Sequence, residues 1–101
     1  MGVGILAKKR RKLPKTARQL ERHFKGVANH HRVKILLLVA KSAGITVDGI
    51  AGSLNGNFKT ISDHTRKLVL AGLVNKTYQG AFVTHTLSPS GQTFVRFIKE
   101  F

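Results

Sequence analysis

The sequence contains no cysteine, which excludes several kinds of site at once. Disulfides, thiolate metal ligands and cysteine nucleophiles all require that residue. Acidic residues are nearly as scarce, with 4 Asp and Glu against 18 Lys and Arg, a formal net charge of +14. So few and scattered carboxylates are poorly suited to acid–base catalysis, and we expect no enzyme. Apolar runs also fall short of the roughly 18 residues of a membrane span, so a soluble, cytoplasmic protein without a membrane partner is expected.

The excess of positive charge is the most informative property of the composition. It favours a polyanionic partner, either nucleic acid or an anionic membrane surface. Residues 8–15, KKRRKLPK, carry a dense run of these charges, and residues 1–15 are predicted to form a flexible basic arm. The arm is either a solvated tail or a phosphate-binding extension. The other residues still carry 12 basic and 4 acidic side chains, so the arm alone does not explain the charge.

The rest of the chain, residues 16–101, suits a single domain that begins with helices. Helical spacing of apolar residues predicts two helices, over residues 16–27 and 30–42, and Asn29 is a good N-cap for the second. Thr46 caps a short third helix with Val47, Ile50, Ala51 and Leu54 inward. Apolar residues lie on most sides of the second helix, which is typical of a central core helix.

A tight turn at Asn55-Gly56-Asn57 precedes a fourth helix that begins at Phe58, and Asn57 can cap that helix. Helix, tight turn and helix together form the helix-turn-helix pattern. Two strands joined at Gln79–Gly80 then predict a hairpin, and a last helix follows it. The predicted fold is therefore mainly α with a small β-hairpin: a winged helix-turn-helix with about five helices and a two-stranded wing.

The fourth helix is the second of the motif, the one that enters the major groove of DNA in this fold. Its outward residues are rich in hydrogen-bonding groups: arginine and lysine suit guanine or phosphate, and an aspartate accepts from cytosine N4. The alternative is an ordinary solvated face, with Asp63 paired to Lys59 or Lys67. The residues predicted to face outward are Lys59, Thr60, Ser62, Asp63, Arg66 and Lys67, and Ile61, Leu68 and Leu73 are predicted to face the domain.

Three stretches resemble the ArsR/SmtB-type repressors, which are homodimeric winged-helix transcription factors. Residues 60–74, TISDHTRKLVLAGLV, are similar to the family's T-V-S-x-H-L-x-x-L-x-x-A-G-L-V. Residues 24–39, FKGVANHHRVKILLLV, and residues 79–91, QGAFVTHTLSPSG, resemble the segments on either side. The resemblance implies DNA contacts at Thr60, Ser62, Asp63, His64 and Arg66, with Gln79 and Gly80 at the wing tip. Asn57, Lys59, Lys67 and Lys76 complete the predicted set.

Several positions depart from the family pattern. Thr65 replaces the usual leucine, Val69 and Leu70 replace usual charges, and Ala81 replaces a common basic residue at the wing tip. The metal-sensing members need cysteine pairs, or Asp/His and His/Glu pairs in the last helix. This chain has no cysteine, and its last helix offers only Glu100. The resemblance therefore supports DNA binding without metal sensing, and we expect no metal and no cofactor.

The role of each histidine has to be considered separately. His30 and His31 are adjacent and do not share a helix face, which argues against a zinc site there. His85 alternates with Val83 and Leu87, so it is expected on the inward face of its strand in a buried or interfacial hydrogen-bonding role. His64 is the most plausible functional histidine, as a phosphate or base contact, with helix packing as the alternative.

The last helix carries an aromatic stripe that needs a surface to cover it. Such a stripe packs either across its own hairpin or against a second copy of the chain, and a two-fold dimer is favoured. A dimer sets two recognition helices about 34 Å apart, one turn of DNA. The predicted dimer interface comprises Leu20, Phe24, Phe94, Phe97, Ile98 and Phe101.

These observations predict a homodimeric, sequence-specific regulator of transcription that binds double-stranded DNA, most simply a repressor located with the nucleoid. One alternative is a sequence-independent architectural DNA-binding protein, which would show a small ratio of specific to non-specific affinity. Another is an RNA- or ribosome-associated winged helix. A single Tyr and no Trp leave few platforms for stacking on single-stranded bases. The operator and any small-molecule effector are not encoded in recognisable motifs.

Overall fold

The structure is a computed structural model that describes residues 14–101, so most of the predicted basic arm lies outside the described residues. The described part contains five helices and one antiparallel hairpin, as predicted. None of its helices has the length and apolarity needed to cross a membrane. The elements are α1 (Ala17–Val27), α2 (His30–Lys41), α3 (Val47–Leu54), α4 (Phe58–Leu70), β1 (Val74–Gln79), β2 (Phe82–Leu87) and α5 (Pro89–Lys99).

Each helix begins at a side chain that accepts a hydrogen bond from the first turn. In α1, the Thr16 hydroxyl accepts from the Gln19 amide while the Gln19 side chain accepts from the Thr16 amide, a capping box. Such a cap contributes roughly 0.5–2 kcal/mol to stability. The caps of the other helices are Asn29, Thr46, Asn57 and Ser88, and the first three were predicted.

The turn of the helix-turn-helix depends on one left-handed residue. Asn55 has φ +53°, and its amide donates to the carbonyls of the last turn of α3. The Gly56 amide donates to Ala51 O at 2.9 Å. A Cβ on Gly56 would approach Ile61 Cγ1 to 2.8 Å, so the absence of a side chain lets α4 start close to the turn.

The central helix of the core is α2. Ile35, Leu36 and Val39 are completely buried, whereas Leu37 and Ala40 are only partly buried. Helical spacing predicts a stripe of Val33, Leu36, Leu37 and Ala40 that Ile35, Leu38 and Val39 widen, so the buried side of α2 is rotated toward the widening residues. Ile61, Leu68 and Leu73 are buried as predicted. Thr65 is buried as well and donates to Ile61 O at 2.8 Å, which satisfies its hydroxyl inside the core.

The segment Ala71–Leu73 joins α4 to β1 and is contacted by α1. The ring of His23 is buried, and its Nδ1 donates to Ala71 O at 2.7 Å. Gly26 lies so close to Ala71 that a Cβ on it would overlap the alanine methyl group. The burial of His23 was not predicted, because its partner is 48 residues away in the sequence.

The same segment also receives the start of α5. The Ser88 hydroxyl donates to Gly72 O at 2.7 Å, and the Ser88 amide donates to Leu73 O at 3.1 Å. Gly72 itself has φ +76°, a conformation that glycine adopts without steric cost. Gly91 lies directly over the Leu73 carbonyl, and a Cβ there would overlap the oxygen.

The hairpin runs in register from Val74 opposite Leu87 to Gln79 opposite Phe82. The connecting residues are therefore Gly80 and Ala81, so the predicted joint at Gln79–Gly80 was wrong by one residue. The reason is that Gly80 takes the positive φ, +61°, at the first position of the turn, and Gln79 stays paired. Within residues 14–101, the outer edge of β1 has no pairing strand.

The buried role predicted for His85 is confirmed. Its side chain is 1% exposed, and Nδ1 donates to Ile45 O at 2.9 Å. A backbone bridge between the same two residues ties the segment before α3 to the free side of β2. The wing is thus attached to the helix-turn-helix through the β2 side of the hairpin.

We predict that Gly91→Ala destabilises the chain by about 1–3 kcal/mol, because a methyl group there meets a backbone oxygen that no side-chain rotation can move. The matched control is Gly52→Ala, since Gly52 is helical and has nothing near its Cβ position. The Gly52→Ala change should raise the free energy of unfolding by roughly 0.8–1 kcal/mol, because alanine has a higher helix propensity than glycine. Urea unfolding of both variants at equal protein concentration measures the difference. Equal stability of the two variants would show that α5 does not pack on Leu73 as described.

Candidate nucleic-acid interface and dimer surface

The outward side of α4 forms an open groove of polar and charged side chains, which we call the α4 groove. Phe58 is at its beginning, and Arg66 lies about two turns further along the helix. The core residues of α4 face the opposite way, so the fold leaves this side uncovered. The lining residues are Phe58, Lys59, Thr60, Ser62, Asp63 and Arg66, and five of these six were predicted as DNA contacts.

Asp63 is the acidic residue among those lining the α4 groove, and it is paired. Its carboxylate accepts from the Arg66 guanidinium and lies 3.4 Å from Lys67 Nζ. Hydrogen bonding to Arg66, and then to Lys67, holds the pKa of the Asp63 carboxyl below its ordinary value. Of the two pairings considered for a solvated face, the one with Lys67 is present. Asp63 therefore stays ionised and orients two cations along the helix.

His64 lies on the flank of α4 that faces α2. Its Nδ1 accepts a hydrogen bond from the Arg32 guanidinium at 3.2 Å, which leaves the proton of the neutral ring on Nε2. The ring stacks on His31 with centroids 5.3 Å apart. Partial burial, followed by the positive charge of Arg32, lowers the pKa of His64. The helix-packing alternative for His64 thus describes its position in the free chain, and a contact with DNA stays a prediction.

The remaining predicted contacts are spread over other elements. Asn57 caps α4 through a bond from the Thr60 amide at 3.1 Å, so its side-chain oxygen is already used. Lys76 borders a second cleft, between the start of α3 and the hairpin, which it shares with Asp48, Phe58 and Phe82. Gln79 and Gly80 are exposed at the end of the hairpin and do not line the α4 groove.

Sequence reasoning missed a basic groove on the other flank of α4. Arg22 and Lys25 from α1, Arg32 from α2 and Lys67 from α4 line it around the exposed Leu70. These side chains come from three helices, so no local motif could have indicated that they converge. Their charge suits phosphate oxygens, and the groove lies beside the helix predicted to read bases.

Phe58 was missed for a different reason. It is 53% exposed although phenylalanine usually indicates a core position. Its spacing of four residues from Ser62 and eight from Arg66 would have placed it on their side of the helix. Within residues 14–101, no group of three or more histidine or acidic residues is arranged to hold a metal ion.

The predicted dimer residues lie on α1 and α5, except Phe101, which follows the end of α5 at Lys99 instead of belonging to the helix as predicted; we call this set the α1–α5 patch. Phe24 of α1 contacts Phe94 of α5 edge to face, with ring centroids 5.3 Å apart. Phe97 and Phe101 make a similar contact at 5.0 Å. The most exposed member is Phe101, at 95%. The patch comprises Leu20, Phe24, Phe94, Phe97, Ile98 and Phe101; Phe94 and Ile98 are partly buried against the core, and the other four are exposed within residues 14–101.

No protein-family model matches the sequence, and no curated protein is significantly similar to it. Solved structures share its fold. HlyU from Vibrio cholerae is 22% identical with a TM-score of 0.76, covering 87% of this chain and 96% of its own. The homodimeric winged helix-turn-helix DNA-binding domain of Mb0332 from Mycobacterium bovis, a possible ArsR-family transcriptional regulator, is 23% identical with a TM-score of 0.73, covering 87% of each chain.

NolR from Sinorhizobium fredii is 20% identical with a TM-score of 0.73, covering 88% of this chain and 95% of its own. These likenesses extend over nearly the whole described domain and include both the helix-turn-helix and the wing. The chain therefore has the winged helix-turn-helix fold that the Mb0332 domain shows.

Proposed function

We propose that the chain is a sequence-specific regulator of transcription that binds double-stranded DNA as a homodimer and represses without a metal-sensing site. The observation that carries this proposal is the α4 groove. It displays hydrogen-bonding side chains on the second helix of a helix-turn-helix, the helix that reads base edges in this fold. A net charge of +14 supplies the attraction to phosphate that such reading requires.

The charges around α4 support separate sites for reading bases and for binding phosphates. Lys59, Ser62 and Arg66 lie in the α4 groove, where base edges would be contacted. Arg22, Lys25 and Arg32 lie in the basic groove on the adjacent flank, where a phosphate strand would pass. A site for base reading beside a site for phosphate binding is what sequence-specific recognition needs.

The α1–α5 patch supports the dimer. Exposed apolar patches of this kind mark interaction sites, and a two-fold axis buries the same patch on both chains. Mb0332, which shares the fold, is described as homodimeric. We further propose that the protein acts at the nucleoid in the cytoplasm and is a binding protein rather than an enzyme.

Selection of bound sequences from a random duplex library tests the proposal as a whole. A shared palindrome supports a dimeric, sequence-specific regulator. Binding without an enriched motif would favour a sequence-independent architectural protein instead, and absence of duplex binding would refute the proposed function.

We predict that Ser62→Ala and Arg66→Ala weaken binding to the selected duplex by about 1–3 kcal/mol each, because each removes a base-reading contact. Arg66→Ala also frees Asp63 from its strongest partner, so its effect should be the larger. The control is Lys41→Ala, which removes a positive charge at the far end of α2. Titrations by fluorescence anisotropy measure the affinities. Unchanged affinity in both α4 variants, with normal circular dichroism, would remove α4 as the reading helix.

We predict that deleting residues 1–13 lowers the affinity and leaves the sequence preference almost unchanged. The deletion removes five basic residues, and phosphate contacts supply affinity without reading bases directly. For every phosphate that the shortened chain no longer neutralises, the slope of log affinity against log salt concentration should become shallower by roughly 0.9. Affinity measured at several salt concentrations gives the slope. An unaltered slope would show that these residues bind no phosphate.

We predict a dimer in sedimentation equilibrium at micromolar concentration, and its dissociation by Phe97→Glu or Phe101→Glu. Burying one phenylalanine contributes roughly 1.5–3 kcal/mol, and a carboxylate in its place must be desolvated. The matched control is Phe82→Glu, which charges an exposed phenylalanine of the wing. A monomer of the unmodified chain, at 11.1 kDa, would refute the dimer.

A further inference from the structure

The first residue of α4 exposes an aromatic ring that does not pack in the hydrophobic core. Phe58 is 53% exposed and does not belong to the core cluster or to the hydrophobic residues packed against it. It follows the capping residue Asn57, so its backbone position is fixed by the start of the helix. A large apolar side chain held in water at a fixed place is a candidate for contact with a partner.

The ring stands at the junction of two surface clefts. On one side it lines the α4 groove together with Lys59, Ser62 and Arg66. On the other side it lines the cleft between the start of α3 and the hairpin, together with Asp48, Lys76 and Phe82. The surroundings of the ring therefore combine charged side chains with apolar surface, and the start of α4 offers a partner both kinds of contact at one place.

Resting on the proposed function, we propose that Phe58 reads the C5-methyl group of a thymine in the major groove. The thymine methyl is the apolar feature of the base edges there, and phenylalanine is one of the side chains that contact it. Ser62 and Arg66, one and two turns further along the same side of α4, would contact neighbouring bases. The chain then prefers a thymine next to the base pairs that these two residues read.

The charges around the ring favour DNA over a protein as the occupant. Lys59 and Lys76 line the clefts beside Phe58, and both are exposed. Of the two acidic residues in these clefts, Asp63 is paired with Arg66 and Lys67, and Asp48 is at the start of α3. An apolar protein surface would have to desolvate these ammonium groups, whereas a duplex places phosphates beside them and a methyl group between them. The overall charge of +14 points to the same partner.

Uracil substitution provides a test that changes one methyl group at a time. The best duplex from the random library is prepared with each thymine replaced in turn by uracil, which keeps every hydrogen-bonding group. At one thymine in each half-site, uracil should weaken binding of the unmodified chain about three- to fivefold, the effect expected for burying one methyl-sized group.

The protein variants identify the side chain responsible. Phe58→Ala should bind the thymine and uracil duplexes equally, with about the affinity that the unmodified chain has for the uracil duplex. Phe82→Ala is the matched control, since it removes a second exposed phenylalanine of the same cleft. The difference between thymine and uracil should persist in that variant. Circular dichroism of both variants checks that the fold is retained.

Three results would overturn the inference. Equal binding of thymine and uracil duplexes by the unmodified chain at every position would exclude methyl reading without any variant. A difference that survives in Phe58→Ala, or that vanishes only in Phe82→Ala, would assign the methyl contact to another residue. Failure of the unmodified chain to bind any duplex would instead refute the proposed function, and the inference with it.

Discussion

The rest of the structure depends on the three residues Ala71–Leu73. Their carbonyl groups accept from His23 of α1 and from Ser88 at the start of α5. Gly26 and Gly91 approach the same segment so closely that neither position has room for a Cβ. A short connection between α4 and β1 is therefore where α1, α4, the hairpin and α5 are held together. Because buried carbonyls are costly to leave unpaired, removing either donor would loosen several elements at once.

This junction also fixes the helix that displays the candidate site. The C-terminal end of α4 is held by the packing around Ala71, and its N-terminal end is held by the turn at Asn55 and by Gly56 against Ile61. With both ends anchored, the direction of the polar side chains is set by the fold rather than by a partner. Side chains on a rigid element are oriented before binding, which reduces the entropy cost of ordering them against a ligand.

Local features of the sequence predicted much of the fold and part of the site. The caps at Asn29, Thr46 and Asn57 and the inward face of β2 at His85 follow from patterns within a few residues. The contacts of His23 with Ala71 and of Arg32 with His64 join residues 48 and 32 positions apart, and no short-range pattern encodes them. The predicted turn of the hairpin was displaced by one residue from the observed turn. Either Gln79 or Ala81 could have formed a two-residue turn with Gly80. The spacing of Phe58 indicated an outward direction, but its residue type suggested the core.

The outer edge of β1 is not paired with any strand of residues 14–101. This unpaired edge affects how copies of the chain can meet. Such an edge is a template for joining other strands, and proteins often cover it. The edge instead carries Lys76 at an exposed position, in a chain whose net charge of +14 makes like molecules repel. The positive charge on which the proposed DNA binding depends thus also opposes edge-to-edge aggregation, and this protection weakens as salt shortens the range of the repulsion.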